Sequence, residues 1–169
     1  RNWHQFGPAI GSQACGETGP GRMLEATELQ QQLEDRFESG ELQGLNLVVT
    51  AGPTYEAIDP VRYIGNRSSG RMGYAIAEAA VEAGANVTLI SGPSHLPKPD
   101  SLNFIAVESA DEMLQAVLSS LEQCQIFIST AAVSDYRVKN AAAQKIKKTQ
   151  DELTLQLVKN TDIVSTVAS

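Results

Sequence analysis

The stretch Asn66-Arg67-Ser68-Ser69-Gly70-Arg71-Met72-Gly73 decides how the rest of the chain is interpreted. It follows an apolar run at residues 45–50 and opens an alanine-rich segment with helical periodicity at residues 69–83. The first amides of a helix have no partner within the helix, and the helix dipole adds positive charge there. A strand, a glycine-bearing loop and a helix start in this order therefore predict an anion site at Ser68, Gly70 and Gly73.

This local pattern does not by itself establish a ligand. The spacing of Gly70 and Gly73 matches only the second half of a dinucleotide-binding fingerprint. Both glycines lack a Cβ, so a phosphate could approach the backbone closely. A glycine-tolerant helix start without any ligand fits the same residues equally well.

Bulk composition excludes several classes of protein. The 169 residues, 42% of them hydrophobic, suffice for one domain plus part of another. A net charge of -7 argues against nucleic acid or an anionic membrane as the main partner. Cys15 and Cys124 are far apart in the sequence, which argues against a disulfide framework and favours a reducing cytoplasm. Because the chain starts at Arg1 and residues 162–169 resemble an unfinished helix, we expect a fragment at both ends.

Strands and helices alternate from residue 45 onward. Four short apolar runs predict strands at residues 45–50, 86–91, 103–107 and 126–128. Helical periodicity predicts helices at residues 69–83 and from about residue 109 to 123. This alternation is typical of an α/β fold, a Rossmann-like doubly wound parallel sheet. Alternating leucines at residues 152–158 predict one more strand with one face inward.

The domain organisation predicted from the sequence has three parts. Residues 1–37 form a loop-rich tail that ends in a helix at residues 26–37, residues 38–44 form a linker, and residues 45–169 form a nucleotide-binding domain.

Two loops are expected to form the site, because ligands of doubly wound sheets bind beyond the carboxyl ends of the strands. The first contains Gly52 and a long connection at residues 55–67, which we predict to be a functional loop. The second is residues 129–136, where small residues would let a base or ribose lie against the backbone. Asp135 would accept hydrogen bonds from an amine or sugar hydroxyl, although a turn or cap is the commoner role for such a residue.

A basic run follows these loops at residues 145–148. Such a run is usually a solvated face. In an acidic chain, after a predicted nucleotide loop, it favours a phosphate-binding lysine.

Several motifs in a fixed order resemble one family. They are Ala51-Gly52-Pro53-Thr54, Asp59-Pro60-Val61-Arg62-Tyr63-Ile64, the stretch at residues 66–73, Ala131-Ala132-Val133-Ser134-Asp135-Tyr136, Lys145-Ile146-Lys147-Lys148 and Lys159-Asn160-Thr161-Asp162-Ile163. Together they resemble phosphopantothenoylcysteine synthetase, which in bacteria is the C-terminal half of a bifunctional coenzyme A biosynthesis protein. The likeness covers about residues 45–169.

The resemblance implies a ligase that joins 4'-phosphopantothenate and L-cysteine. CTP would activate the carboxylate as an acyl cytidylate, with Mg²⁺ held mainly by phosphates and water. The implied catalytic residues are Asn66, which would orient the acyl cytidylate, and Lys145, which would neutralise phosphate charge. The implied nucleotide-binding residues are Gly52, Ser68, Gly70, Gly73, Ser129, Thr130, Ala131, Asp135, Asn160, Thr161, Asp162 and Ile163. No residue is implied as a metal ligand.

The N-terminal tail fits the same family. Residues 14–23 resemble the end of the FMN-dependent phosphopantothenoylcysteine decarboxylase half, in which the cysteine at the Cys15 position donates a proton. The residues alone leave open whether Cys15 is a reactive thiol or a small apolar filler. Because the rest of that half is absent here, we expect no decarboxylase activity. The resemblance also implies a homo-oligomer, a dimer of the synthetase half, and further nucleotide-contacting residues beyond the position of Ser169.

Two other functions remain as alternatives. An NAD(P)-dependent Rossmann oxidoreductase would carry a complete glycine fingerprint after the first strand and an acidic residue at the end of the second. This chain has Ala51-Gly52-Pro53-Thr54 and Ser91-Gly92 at those places. A non-catalytic nucleotide-binding relative is the other alternative, and the presence of both Asn66 and Lys145 favours the enzyme.

Overall fold

The computed structural model describes residues 5–12, 16, 18–37, 40–148 and 152–169. The chain divides into two compact units, Arg1–Ser39 and Gly40–Ser169. The first unit contains a hairpin of strands β1 (Ala9–Ser12) and β2 (Thr18–Arg22), followed by helix α1 (Ala26–Phe37). The helix coincides with the segment that the leucine periodicity predicts.

The second unit contains the remaining elements. In chain order these are β3 (Asn46–Ala51), β4 (Tyr55–Ala57), β5 (Tyr63–Gly65), α2 (Arg71–Glu82), β6 (Asn86–Ser91), β7 (Asn103–Ala106), α3 (Ala110–Ser120), β8 (Ile126–Ser129), β9 (Tyr136–Val138), β10 (Leu157–Lys159) and α4 (Ile163–Val167). A four-stranded parallel sheet has the order β7-β6-β3-β8. Its strands lie within one residue of the predicted positions at each end.

Helices cover both faces of this sheet. Leu47 and Val49 of β3 pack in one cluster with Ala77 of α2, whereas Val48 packs in a second cluster with Met113 of α3. Successive strand residues point to opposite faces, so the two clusters lie on the two sides of the sheet. The predicted doubly wound α/β fold is confirmed.

Helix α2 buries a face that its apolar residues do not mark. Helical periodicity puts Met72, Ile76, Ala79 and Ala80 on one side of the helix, but Met72 is 70% exposed. The buried residues are Gly73, Tyr74, Ala77 and Ala80. The line of contact passes through Gly73 because a residue without a side chain lets the helix backbone lie closest to the sheet.

The strand predicted at residues 152–158 is wrong in extent. Only Leu157–Lys159 forms a strand, which pairs antiparallel with β9. Leu153 and Leu157 are exposed, so their alternation does not mark an inward face. None of the described helices is long and apolar enough to cross a membrane.

Candidate functional site

Glycines bring the start of α2 against the end of β3. Gly52 and Gly70 have φ angles of 72° and 78°, which glycine adopts without strain. A Cβ on Gly70 would lie 3.2 Å from the Gly52 nitrogen. A Cβ on Gly73 would lie 2.5 Å from both the Ala51 Cβ and the Thr130 Oγ1. The sequence explained Gly73 by access for a phosphate, whereas the structure shows that Gly73 makes room for the chain itself.

The first turn of α2 carries amides with no partner in the described part of the chain. The helix begins at Arg71, two residues later than predicted, and its N-cap residue Gly70 has no side chain to offer. The first amide with a helical partner is that of Tyr74, which donates to the Gly70 carbonyl at 3.2 Å. The Ser68 hydroxyl accepts from the Gly70 amide at 3.3 Å. The amides of residues 71–73 therefore remain available, and phosphate binding there stays a prediction.

The loop after β8 pairs with the loop after β3. The Ala132 amide donates to the Gly52 carbonyl at 2.8 Å, and the Thr54 amide donates to the Ala132 carbonyl at 3.3 Å. The hydroxyl of Thr54, which is fully buried, accepts from the Ser134 amide at 2.9 Å. The two loops thus form one linked edge beyond β3 and β8. This is the point at which the connections of a doubly wound sheet diverge and where ligands bind.

A cavity of about 310 Å³ lies beside this edge. Its lining includes these predicted nucleotide-binding residues: Ser129, Ala131, Asp135, Asn160, Thr161, Asp162 and Ile163. Thr130 lies on the other side of the segment, where its hydroxyl donates to the Thr50 carbonyl at 2.6 Å and approaches Gly73. Alternate residues of extended chain point to opposite sides, so one segment faces both the cavity and the start of α2.

Two side chains of the lining are engaged within the protein. Asn160 donates from Nδ2 to the Ser134 carbonyl at 2.8 Å and accepts at Oδ1 from Arg137 at 3.0 Å. Asp162 caps α4 by accepting from the Ser165 amide at 2.9 Å. That hydrogen bond is the main reason why the pKa of Asp162 lies below its ordinary value, although burial opposes it. These two side chains therefore shape the cavity wall.

Asp135 is engaged only through its backbone. Its carbonyl accepts from the Asn160 amide at 2.8 Å, while its side chain is exposed. Among the described residues, no hydrogen bond or ion pair to its carboxylate is found. The alternative role as a side-chain cap therefore has no contact to support it.

Asn66 connects the two halves of the edge. It follows β5 directly, and its Nδ2 donates to the Val133 carbonyl at 3.0 Å and more weakly to the Ala132 carbonyl at 3.4 Å. Its side chain therefore lies against the loop that carries Asp135. Its Nδ2 is engaged with that loop, and among the described residues no partner of Oδ1 is found, so Oδ1 of this exposed side chain remains for a ligand.

The connection between β3 and α2, which the sequence predicts to be a functional loop, contains a short hairpin. Strands β4 and β5 pair antiparallel within it, and the rings of Tyr55 and Tyr63 stack with their centroids 3.8 Å apart. Three-residue strands are too short to give a periodic signal in the sequence. The hairpin nevertheless positions Asn66, which comes directly after it.

Lys145 lies on a segment that this hairpin holds. Asp59, buried at the hairpin turn, accepts from the Ile146 amide at 3.0 Å. Arg62 donates to the Ile146 carbonyl at 2.7 Å. Lys145 itself is exposed, and no ion pair of its ammonium is found within the described residues. The structure thus places Lys145 beside the hairpin but shows no contact between Lys145 and the cavity.

Some predicted features remain untested, and some important residues were missed. Cys15 lies outside the described residues. Within those residues, no group of three or more His, Cys, Asp or Glu side chains could hold a metal ion. Sequence analysis did not select Thr54, Asp59 or Gly92. The first two lie inside the quoted motifs, which was the available signal, whereas nothing local marks Gly92.

Comparisons with known proteins agree on one family. The model of the "DNA/pantothenate metabolism flavoprotein C-terminal domain" matches residues 42–169. The "Coenzyme A biosynthesis bifunctional protein CoaBC" of Haemophilus influenzae is 58% identical over 163 residues, which cover 96% of this chain and 41% of the relative. The protein of the same name from Vibrio vulnificus is 54% identical over 171 residues, covering 100% of this chain and 43% of the relative.

A solved structure gives the same result. The crystal structure of the C-terminal domain of a CoaBC protein matches with a TM-score of 0.65 and 44% identity, covering 76% of this chain and 60% of that one. The chain spans less than half the length of the curated relatives that it matches. The resemblance identified from the motifs is confirmed, and the chain belongs to the family of DNA/pantothenate metabolism flavoprotein C-terminal domains.

Proposed function

We propose that the protein to which this chain belongs is a phosphopantothenate–cysteine ligase that uses CTP. The observation that carries the proposal is the linked edge beyond β3 and β8, where the open start of α2 and the 310 Å³ cavity lie on two sides of residues 129–135. A nucleotide needs a pocket for its base and sugar and a group of donors for its phosphates. The relatives are named for coenzyme A biosynthesis and the matched family for pantothenate metabolism, which supports a pantothenate-derived substrate.

The first step would be activation of a carboxylate. A carboxylate oxygen of 4'-phosphopantothenate attacks the α-phosphorus of CTP, the bond to the β-phosphate breaks, and pyrophosphate leaves. The amides of residues 71–73 and the Ser68 hydroxyl would bind phosphate oxygens, while Lys145 would offset their charge. Asp135 and Thr161 would hold the cytidine through hydrogen bonds, with Gly52 and Ala131 allowing close approach.

The second step would form the amide bond. The amine of cysteine attacks the acyl carbon, CMP leaves, and the amine loses a proton. Asn66 would orient the acyl cytidylate, because an uncharged amide can contact its acyl group without adding charge. To donate to the developing oxyanion, Nδ2 would use its second hydrogen or turn away from the Val133 carbonyl when the substrate binds. In the arrangement seen here, Oδ1 could accept from the incoming amine.

Several accompanying components belong to the same proposal. Mg²⁺ would enter with the triphosphate, since such ions are usually held by phosphates and water. The tail with Cys15 would belong to an FMN-dependent decarboxylase half. The longer protein would act as a homo-oligomer in the cytoplasm on small-molecule substrates.

The deciding experiment separates the two steps. The full-length protein is incubated with CTP, Mg²⁺ and 4'-phosphopantothenate without cysteine, and acyl cytidylate and pyrophosphate are measured. Lys145→Ala should slow their formation by about 100-fold, the scale expected for loss of one charge-stabilising group. Asn66→Asp should change the fate of the intermediate after cysteine is added more than it changes its formation.

A control and three contrary outcomes complete the test. Lys139→Ala removes another exposed lysine outside the motifs and should leave both steps unchanged. Absence of acyl cytidylate in the unaltered protein would refute the proposal, and binding of NADH in place of CTP would favour the oxidoreductase alternative. Unchanged turnover of Asn66→Asp would remove Asn66 from the mechanism.

A further inference from the structure

Ile146 follows Lys145 in the chain. Its backbone N–H and its backbone C=O both bond to residues of the hairpin turn. The Ile146 amide donates to Asp59 Oδ2 at 3.0 Å. The Ile146 carbonyl accepts from Arg62 Nη2 at 2.7 Å. A second tie lies nearby, where the Ala142 amide donates to the Ile58 carbonyl at 2.9 Å. The segment that carries Lys145 is thus attached to the hairpin at two places.

The Asp59 carboxylate is the centre of this attachment. Its Oδ1 accepts from the amides of Val61 and Arg62, each at 2.9 Å, and its Oδ2 accepts from Ile146 and lies 3.0 Å from Arg62 Nη2. The side chain of Asp59 is completely buried. A buried carboxylate that lost these donors would remain desolvated without partners, so the arrangement resists rearrangement. One side chain therefore orders both the hairpin turn and the lysine-bearing segment.

When the N–H and the C=O of one residue are both held, the direction of the chain on either side of that residue is also fixed. The neighbouring residue Lys145 has an exposed side chain, and in the described part of the chain no contact restrains its ammonium. Its position therefore depends on the backbone to which it is attached. The same hairpin leads through β5 into Asn66, so it sets the positions of both proposed catalytic residues.

We infer that Asp59 is a positioning residue, which together with Arg62 holds Ile146 so that Lys145 is presented to the phosphates of the substrate. This inference rests on the proposed function for the role of Lys145. The hold on Ile146 does not rest on it and can be measured without any substrate. A purely structural role, in which Asp59 only stabilises the hairpin turn, is the competing explanation.

The experiment uses the full-length protein and a matched pair of variants. Asp59→Asn removes the charge and replaces one acceptor by a donor. Glu56→Gln makes the same change at the other buried carboxylate of the hairpin, which accepts from the Ala110 amide at 2.9 Å and does not touch Ile146. Two quantities are measured, the hydrogen-exchange protection of the Ile146 amide and the rate of acyl-cytidylate formation.

Asp59→Asn is expected to lower the protection of Ile146, because the one amide oxygen of asparagine cannot accept from both the turn amides and Ile146. It should also slow the first step by on the order of 10- to 100-fold, the effect of a displaced catalytic group. Glu56→Gln should leave both quantities close to those of the unaltered protein. In a Lys145→Ala background, Asp59→Asn should cause almost no further loss of rate, because both changes remove the same contribution. Additive losses would overturn the inference in favour of the structural role, and so would retained protection of Ile146.

Two further results distinguish a failure of this inference from a failure of the proposed role of Lys145 and from misfolding of a variant. If Lys145→Ala does not slow the first step, the proposed role of Lys145 fails, while the protection measurement still decides whether Asp59 holds Ile146. If Asp59→Asn does not fold, Arg62→Ala takes its place, since it removes the donor to the Ile146 carbonyl and leaves the backbone amides that donate to Asp59. Arg62→Ala should reduce the hydrogen-exchange protection of the Ile146 amide, because the segment loses one of the bonds that hold it to the hairpin. Unchanged protection of that amide would overturn the inference.

Discussion

The edge of the parallel sheet and the β4–β5 hairpin hold their loops in place by different means. At the edge, backbone groups of residues 50–54 pair with those of residues 130–132, and glycines let the segments approach. At the hairpin, the single carboxylate of Asp59 accepts from backbone amides of its own turn and from Ile146. The edge is therefore held mainly by backbone pairs, whereas the link between the hairpin and the segment that carries Lys145 is centred on one side chain, with Arg62 and the Ala142–Ile58 hydrogen bond beside it.

This difference predicts different kinds of sensitivity. Backbone pairing does not depend on which side chains are present, so the edge should tolerate most substitutions that leave space and buried acceptors unchanged. The edge should be destabilised by a substitution that adds an atom where there is no space for it. The segment that carries Lys145 has fewer ties to the hairpin, and loss or protonation of Asp59 should loosen the hold on Ile146.

The largest effect is expected from Gly92→Ala at the edge. Gly92 follows β6, and its amide donates to the Ala51 carbonyl at 3.0 Å. A Cβ on Gly92 would collide with the Pro53 carbonyl oxygen, which is backbone and cannot rotate away. The free energy of unfolding should fall by about 3 kcal/mol or more, at or beyond the upper end of overpacking costs. Urea denaturation of this variant measures the change.

Gly44→Ala is the matched control for this substitution. Gly44 has a φ of 76°, but a Cβ there would meet nothing within 4 Å. Its cost should be only the backbone strain of about 1–2 kcal/mol. Equal losses for the two variants would show that lack of space at Gly92 is not what constrains the edge.

A smaller effect is expected from Thr54→Val. The Thr54 hydroxyl accepts from the Ser134 amide at 2.9 Å inside the linked loops. Valine has nearly the same shape but no acceptor, so a buried amide would lose its partner at a cost of about 1–3 kcal/mol. Thr54→Ser keeps the acceptor and should lose less. Urea denaturation compares the two, and a larger loss for the serine variant would contradict the proposed role of the hydroxyl.

The edge of the sheet could be predicted from the sequence because its signals are local. Short apolar runs gave the four parallel strands, and glycines near their ends marked the loops. Residues 160–163 and residues of the 129–135 loop line one cavity, and nucleotide binding there stays a prediction. The close approach of Gly73 to Thr130 could not be predicted, because it joins residues far apart in the chain.

The hairpin could not be predicted for the same physical reason. Its strands have three residues each, and its main tie joins Asp59 to Ile146 across 87 positions. Nothing near residue 59 indicates that its carboxylate will accept from a distant amide. Polar residues in this stretch therefore indicated a functional loop but not an ordered one.

The smallest effect is expected only at acidic pH, where protonation of Asp59 should weaken the hairpin before it affects the edge of the sheet. Burial tends to raise the pKa of Asp59, but hydrogen bonds from Ile146, Val61 and Arg62 and the charge of Arg62 outweigh it, so the pKa lies below its ordinary value of 3.8. A carboxyl group with a lowered pKa contributes stability above its unfolded pKa, and this contribution is lost as the pH falls through the folded pKa. The hairpin should therefore be fully held at neutral pH.

Hydrogen-exchange protection factors of two amides can test this contrast in one sample. Below the ordinary pKa of Asp59, protection of the Ile146 amide should decline as its carboxylate acceptor is protonated. Protection of the Ser134 amide should persist to lower pH, because its acceptor is the hydroxyl of Thr54, which does not titrate in this range. In Asp59→Asn the Ile146 amide should be less protected at neutral pH than in the unaltered protein, and its protection should no longer follow the titration of a carboxylate at residue 59. A simultaneous loss at both amides would mean that acid unfolds the whole unit, and the two regions would then not differ in what holds them.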